Sequence, residues 1–254
     1  MTLKTWRQQR KPEDSTGVVK KMRTFIIGDI HGCSEPFGAL LERLKPDAGE
    51  DRLILLGDLF DRGPDSYGVL QMVKKLQTSF GDRFVLLRGN HEDYLVQKRL
   101  SLSLRMVWEQ VGRKTSVRSF KKNRARLEDC AEWIREHSVP WYKCEEPVFF
   151  QCVHAGLRID PPEANDAYTL MHDHGVIFEN DYQGPLTITG HVALDVPSYF
   201  AGDRETVSEL PEEETLALPE RGVICIDAGC GKGGRLIGMK IEGDRFTLYG
   251  EPEH

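Results

Sequence analysis

Apolar residues in this 254-residue chain follow two rhythms. Short β-branched or aliphatic runs lie at 24–27, 52–56, 83–87, 148–153 and 186–189, and each predicts a strand. Between the early runs, Phe37, Leu40, Leu41 and Leu44 repeat at helical spacing behind Ser34, and Val69, Met72, Val73 and Leu76 repeat behind Ser66. Helices opened by these serines are therefore expected. The strand–helix–strand–helix–strand order predicts an α/β architecture with parallel strands and outer helices. Later runs at 223–226, 236–241 and 245–249 have no helices between them, so the sheet is expected to continue in mixed or antiparallel layers.

Composition narrows the class. A hydrophobic fraction of 39% supports a core, and 29% charged residues imply a wettable surface. No apolar run approaches the length of a bilayer span, so a membrane partner is not expected. Residues 1–23 carry Lys and Arg without an apolar stretch, which reads as a flexible tail rather than a secretory leader, ahead of a domain over 24–254. Six cysteines at 33, 130, 144, 152, 225 and 230 form no C-x-x-C pair, as expected of reduced structural thiols in a cytoplasmic protein. Cys33, beside the first polar block, is the one placed to be oxidisable. A net charge of −6 gives no argument for nucleic acid.

Two segments depart from the average. Residues 98–127 are basic and predict a helical insertion; residues 203–220 are acidic, punctuated by proline, and predict a surface loop. The basic segment reads as a solvated helical face, a partner for the acidic loop, or a device that steers anionic substrates.

Each of the first five runs ends at a block rich in metal-binding side chains: Gly28-Asp29-Ile30-His31-Gly32, Gly57-Asp58-Leu59-Phe60-Asp61-Arg62-Gly63, Gly89-Asn90-His91-Glu92, His154-Ala155-Gly156 and Gly190-His191. In extended chain, residues i and i+2 point the same way, so Asp29 and His31 can grip one ion together. Asp58 has two carboxylate oxygens and can bridge two ions, with Asn90, His154 and His191 completing the second site. Any one block alone reads as a turn. Five in the same strand-then-loop setting gather at one sheet edge, and this points to metal-assisted hydrolysis of a phosphate ester.

In this order the blocks resemble the phosphoprotein phosphatase branch of the calcineurin-like metallophosphoesterases, in particular its compact bacterial and phage-type members. Ile226-Asp227-Ala228-Gly229-Cys230 and Gly233-Gly234-Arg235-Leu236 are similar to that family's closing strands. The resemblance implies a central mixed β-sandwich flanked by helices, with a dimetal site at the strand ends. It implies that Asp29, His31, Asp58, Asn90, His154 and His191 are metal ligands for two divalent ions, with Mn²⁺ first and Fe or Zn²⁺ as alternatives. His91 is implied as general acid, Asp61 as the carboxylate that orients it, and Arg62 and Arg88 as phosphate-binding forks. Glu92 reads as structural. Related enzymes carry a further Arg where His174 stands within His172-Asp173-His174-Gly175-Val176-Ile177-Phe178, so His174 is the candidate for that phosphate contact, with Arg158 as a substitute.

The activity implied is a serine/threonine protein phosphatase acting on a phosphoprotein or a small phosphoester. Diadenosine tetraphosphate hydrolases resemble the same blocks but usually read G-N-H-D, and Glu92 here is taken to favour the phosphatase. A non-catalytic binding protein would be expected to have lost a ligand or the acid, and none is missing.

Overall fold

The computed structural model describes residues 22–253, so the tail expected over 1–23 falls almost wholly outside the described residues. The chain runs β1 (Thr24–Ile27), α1 (Ser34–Leu44), β2 (Arg52–Leu55), α2 (Ser66–Phe80), β3 (Phe84–Leu87), α3 (Asn90–Val96), α4 (Leu102–Gln110), α5 (Arg113–Lys122) and α6 (Glu128–His137). It continues through β4 (Ser138–Val139), β5 (Trp141–Cys144), β6 (Phe150–Val153), α7 (Ala167–Met171), α8 (Val176–Glu179), β7 (Thr187–Thr189) and β8 (Ser198–Phe200). The last strands are β9 (Val207–Glu209), β10 (Thr215–Ala217), β11 (Val223–Cys225), β12 (Arg235–Glu242) and β13 (Arg245–Pro252).

Two mixed sheets result. One has the order β10-β13-β12-β1-β2-β3-β4 and the other β5-β6-β7-β11-β8-β9. Strands β1 to β4 are mutually parallel, while β12 runs antiparallel beside β1. Side chains alternate across each strand, and this splits the core. Ile26, Ile54 and Leu87 face Cys152, Ile188 and Ile224 between the sheets. Phe25, Ile27, Leu53 and Leu55 face the other way, onto Phe37, Leu40, Val69 and Val73 of α1 and α2. Val153, Val223 and Cys225 pack under α7 and α8. The fold is thus the helix-flanked mixed β-sandwich expected.

The helix starts differ from the sequence reading. Cys33, not Ser34, occupies the cap of α1, and the Ser34 hydroxyl donates to Asp65 at 2.9 Å. Asp65 caps α2 by accepting the Gly68 N–H at 3.0 Å, which leaves Ser66 one residue inside the helix. A carboxylate at the cap accepts from the free amides as well as a serine does, so the pattern placed the helix but not its cap.

The acidic segment is not only a loop. It holds β9 and β10, which pair with β8 and β13 at the two sheet edges. Edge strands of three largely exposed residues are too short to show a hydrophobic alternation. Among the described residues, no ion pair joins 98–126 to 203–220; Glu212 and Glu213 pair instead with Arg235 and Arg43.

Candidate active site

Strands β1, β2, β3, β6 and β7 all end at one edge, and the polar blocks follow them. The turns are tight. His31, Asp58, Asp61, Arg62 and His191 have φ of 47°, 48°, 71°, 62° and 67°, a left-handed region that non-glycine residues avoid. Each such residue costs about 1–3 kcal/mol unless its surroundings hold it. Glu92 supplies much of that hold: its carboxylate accepts from the N–H of Asp58 (2.7 Å), Leu59 (2.8 Å) and Gly89 (3.1 Å). The Asp58 carbonyl in turn accepts from Ile30 and His31. Gly89 is required because a Cβ there would stand 2.2 Å from Asp58 Oδ1, and one at Gly190 would stand 2.0 Å from Asp29 Oδ1.

The six expected ligands converge. Asp58 Oδ2 lies 3.4 Å from His31 Nε2, and Asp58 Oδ1 lies 3.4 Å from His154 Nε2. The two oxygens of one carboxylate therefore face two different histidine sets. Asp29 Oδ2 is 3.9 Å from His31 Nε2, and the Asp29 carboxylate also accepts the His191 N–H. Asn90 Oδ1 lies 3.2 Å from His154 Nε2 and 3.0 Å from His191 Nδ1. Backbone carbonyls set the tautomers: His31 Nδ1 donates to Phe60 O at 2.9 Å and His154 Nδ1 to Leu56 O at 2.8 Å, which turns each Nε2 inward.

His91 stands beside them. Its Nδ1 donates to Asp61 Oδ2 at 2.7 Å, and its buried Nε2 has no hydrogen-bond partner among the described residues. Asp61 is fixed from two further directions by the insertion: Trp108 Nε1 donates to Oδ2 at 2.6 Å and Ser116 Oγ to Oδ1 at 2.5 Å. The Asp61 N–H donates back to Ser116 and Ser66. Neither residue is expected from the sequence, in which the basic segment reads as a solvated face, a partner for the acidic loop or a steering device. The available signal was Ser116, Ser119 and Phe120 at helical spacing with Trp108 upstream, a buried face on an otherwise charged segment. Trp108→Phe removes one of the donors to Asp61 and is expected to lower kcat about 10–100-fold with KM nearly unchanged, as steady-state kinetics would register.

The phosphate candidates are placed less uniformly. Arg62 extends its guanidinium to His31 Nε2, inside the cluster. Arg88 is half-buried, with Nε donating to Ser138 Oγ at 3.0 Å. His174 is exposed and packs its ring 4.1 Å from that of His191, with Nδ1 3.2 Å from His191 Nε2. Arg158 is engaged elsewhere, pairing with Asp173 at 2.6 Å and with Glu179. On the same side, Tyr168 is 63% exposed and lies parallel to His172 at 5.9 Å, while His172 is held by Asp93 at 3.0 Å and abuts Tyr94.

Electrostatics favour cations here. Burial raises Asp29 well above the carboxylate range, with repulsion from Asp227 and Asp58 adding to it. Burial likewise raises Asp227, whose Oδ2 has no hydrogen-bond partner among the described residues. Burial would lower His154, but Asp58 and Asp29 outweigh it and lift the imidazole to about 10. His31 and His191 are lowered by burial, His191 to about 2, and so present neutral nitrogens, the form that binds metals. Crowded buried carboxylates, an unpartnered Asp227 oxygen and inward imidazoles fit divalent cations. Glu92 is raised to about 7 by burial first and the Asp58 charge second.

A cluster of His and Asp at the strand ends of a helix-flanked sandwich defines a metal-dependent phosphoesterase. The chain belongs to the calcineurin-like phosphoesterase family, whose model matches residues 22–224. A symmetrical bis(5'-nucleosyl)-tetraphosphatase of Pseudomonas fluorescens (strain SBW25) is 30% identical over 283 residues, covering 91% of this chain and 95% of that protein. The enzyme of the same name from Pseudomonas putida (strain W619) is 31% identical over 144 residues, 56% of this chain, and the match spans only 44% of that relative. Among solved structures, a metallophosphoesterase from Sphaerobacter thermophilus has a TM-score of 0.62 at 17% identity, covering 92% of this chain and 90% of that one. A protein serine/threonine phosphatase from Saccharomyces cerevisiae has a TM-score of 0.59 at 13% identity, covering 91% and 80%. The two structural likenesses speak to the fold alone. No helix among the described residues is long and apolar enough to cross a membrane.

Proposed function

We propose that the protein hydrolyses dinucleoside polyphosphates of the diadenosine tetraphosphate kind, rather than phosphoproteins. The observation that carries this reading is the near full-length likeness to the symmetrical tetraphosphatase of Pseudomonas fluorescens. Glu92 no longer speaks against it. That carboxylate is fully buried on backbone amides, so a Glu or Asp at this position concerns the Asp58 turn and not the substrate.

In this reading Asp29 and His31 would hold one divalent ion, Asn90, His154 and His191 the other, and Asp58 both. The carboxylate, amide and imidazole donors suit Mn²⁺. When bound, such ions polarise a phosphoryl oxygen and activate a water for in-line attack. Arg62 neutralises phosphoryl oxygens beside His31, and Arg88 and His174 flank the approach. His91 gives the proton on Nε2 to the departing oxygen while Asp61 keeps the Nδ1 proton fixed. The exposed Tyr168 face, stacked on His172, is a platform for one nucleobase.

Turnover with Mn²⁺ tests the proposal. The kcat/KM for diadenosine tetraphosphate is expected to exceed that for phosphoserine peptide and p-nitrophenyl phosphate. Rapid phosphopeptide hydrolysis with the dinucleotide left intact would restore the protein-phosphatase reading. Base–aromatic stacking contributes about 1–3 kcal/mol, so Tyr168→Ala is expected to raise KM for the tetraphosphate about tenfold, an effect confined to nucleotide substrates.

A further inference from the structure

A second group of metal-binding side chains lies against the far side of the His31 loop. The ligand atoms of Cys33, Cys230 and Glu253 all fall within 4.8 Å of one another. Both thiols are buried, Cys33 at 2% and Cys230 at 0% exposure, whereas Glu253 is half-buried. Backbone amides hold the carboxylate in place: Gly231 and Gly233 each donate to Glu253 Oε2 at 2.8 Å. The sulfurs lie under the loop that bears the first ligand pair. Cys33 Sγ is 3.6 Å from the His31 carbonyl, and Cys230 Sγ is 3.5 Å from the Ile30 carbonyl. A cavity of about 320 Å³, lined by Cys33, Glu253, Ser34 and Asp65 among others, opens onto the group.

We propose that Cys33, Cys230 and Glu253 form a binding site for a soft divalent cation such as Zn²⁺, separate from the dimetal cluster. Two thiolates and a carboxylate are a zinc donor set, and water from the adjoining cavity can take the fourth position. With Zn–S bonds of about 2.3 Å, tetrahedral geometry needs sulfurs roughly 3.8 Å apart. The ligand atoms lie within 4.8 Å of one another, so closure of at most about 1 Å is needed. Softness separates the two sites. Thiolates select Zn²⁺ or Cd²⁺, while the carboxylate, amide and imidazole cluster suits Mn²⁺. As each S–metal bond forms, the thiol proton leaves to solvent and the thiol contact with the Ile30 or His31 carbonyl is lost. Occupancy therefore acts on the loop that holds His31.

The test uses the reduced, full-length protein with its dimetal cluster saturated by Mn²⁺, titrated with Cd²⁺ and then Co²⁺ while thiolate-to-metal charge-transfer absorption is recorded. One saturable equivalent is expected, retained in Asp58→Asn and lost in Cys230→Ser. Glu253→Gln, at a half-exposed position that does not burden the core, is expected to weaken binding at least about tenfold. The absence of a thiolate band overturns the proposal, as does a band unchanged in both Cys230→Ser and Glu253→Gln. A Cys33–Cys230 disulfide in protein purified under reducing conditions also overturns it, since all six cysteines are free in the structure.

Discussion

His91→Gln is expected to lower kcat about 10²–10⁴-fold while the Mn²⁺ content of the protein stays at the wild-type level. The geometry makes both halves of that result informative. His91 Nε2 lies 3.8 Å from Asp58 Oδ2 and within one cluster with His31, so proximity alone would allow it to be a ligand. What separates it from the ligands is its partner. His31 and His154 donate their outer nitrogen to neutral backbone carbonyls, whereas His91 donates to a carboxylate that Trp108 and Ser116 also hold. Loss of metal along with activity would make His91 a ligand and sink its role as the acid. The size of the effect also reports on the leaving group. An alkoxide leaving from a phosphoserine needs a proton far more than a nucleotide phosphate or a nitrophenolate does. The loss is therefore expected near the upper end for an alkyl phosphate and near the lower end for diadenosine tetraphosphate. Parallel kinetics of the variant on the three substrates would check this gradient, and an equal loss on all of them would argue against proton donation.

The six candidate ligands were easy to pick out because metal chemistry restricts such positions to few residue types, and because strand ends are easy to find. Asp29, His31, Asp58, Asn90, His154 and His191 each follow a recognisable apolar run, and the folded chain brings all six together. What supports them was harder to see. Glu92 acts through backbone amides, which leave no pattern in the chain. Trp108 and Ser116 lie 47 and 55 residues from Asp61, on helices whose exposed faces are basic enough to dominate any reading of composition. The strands β9 and β10 were invisible for a related reason. Their residues are exposed on most sides, so pairing to a neighbour rather than burial defines them. The caps of α1 and α2 were each misplaced by one residue, since Ser34 and Ser66 use their hydroxyls for contacts outside their own helices.

Asp58→Asn is expected to weaken Mn²⁺ binding at least about 100-fold, to leave at most one ion per chain, and to reduce turnover at least as far as the His91 variant. The reason is geometric. Asp58 is the group whose two oxygens face both histidine sets, Oδ2 toward His31 and Oδ1 toward His154. An amide keeps one acceptor oxygen, puts an N–H where the other stood, and removes the charge. The same charge controls how protons compete with metal. Asp58, with Asp29, lifts His154 to about 10, so in the metal-free protein this imidazole holds a proton that must leave before Nε2 can ligate. Burial, with repulsion from Asp227 and Asp58, raises Asp29 as well, so protons compete with metal for this carboxylate further up the pH scale than at an ordinary Asp. Metal binding releases protons, so apparent affinity falls as pH falls, by about tenfold per pH unit for each proton displaced. With asparagine at position 58, the larger part of the attraction that holds the His154 proton is removed, and one source of the repulsion that raises Asp29 is lost. The pH dependence of binding should then be shallower even as binding weakens. Calorimetric titration of Mn²⁺ at several pH values, in buffers of different ionisation enthalpy, counts the protons released by each protein. An equal count in both would mean that the Asp58 charge does not set the protonation of the cluster.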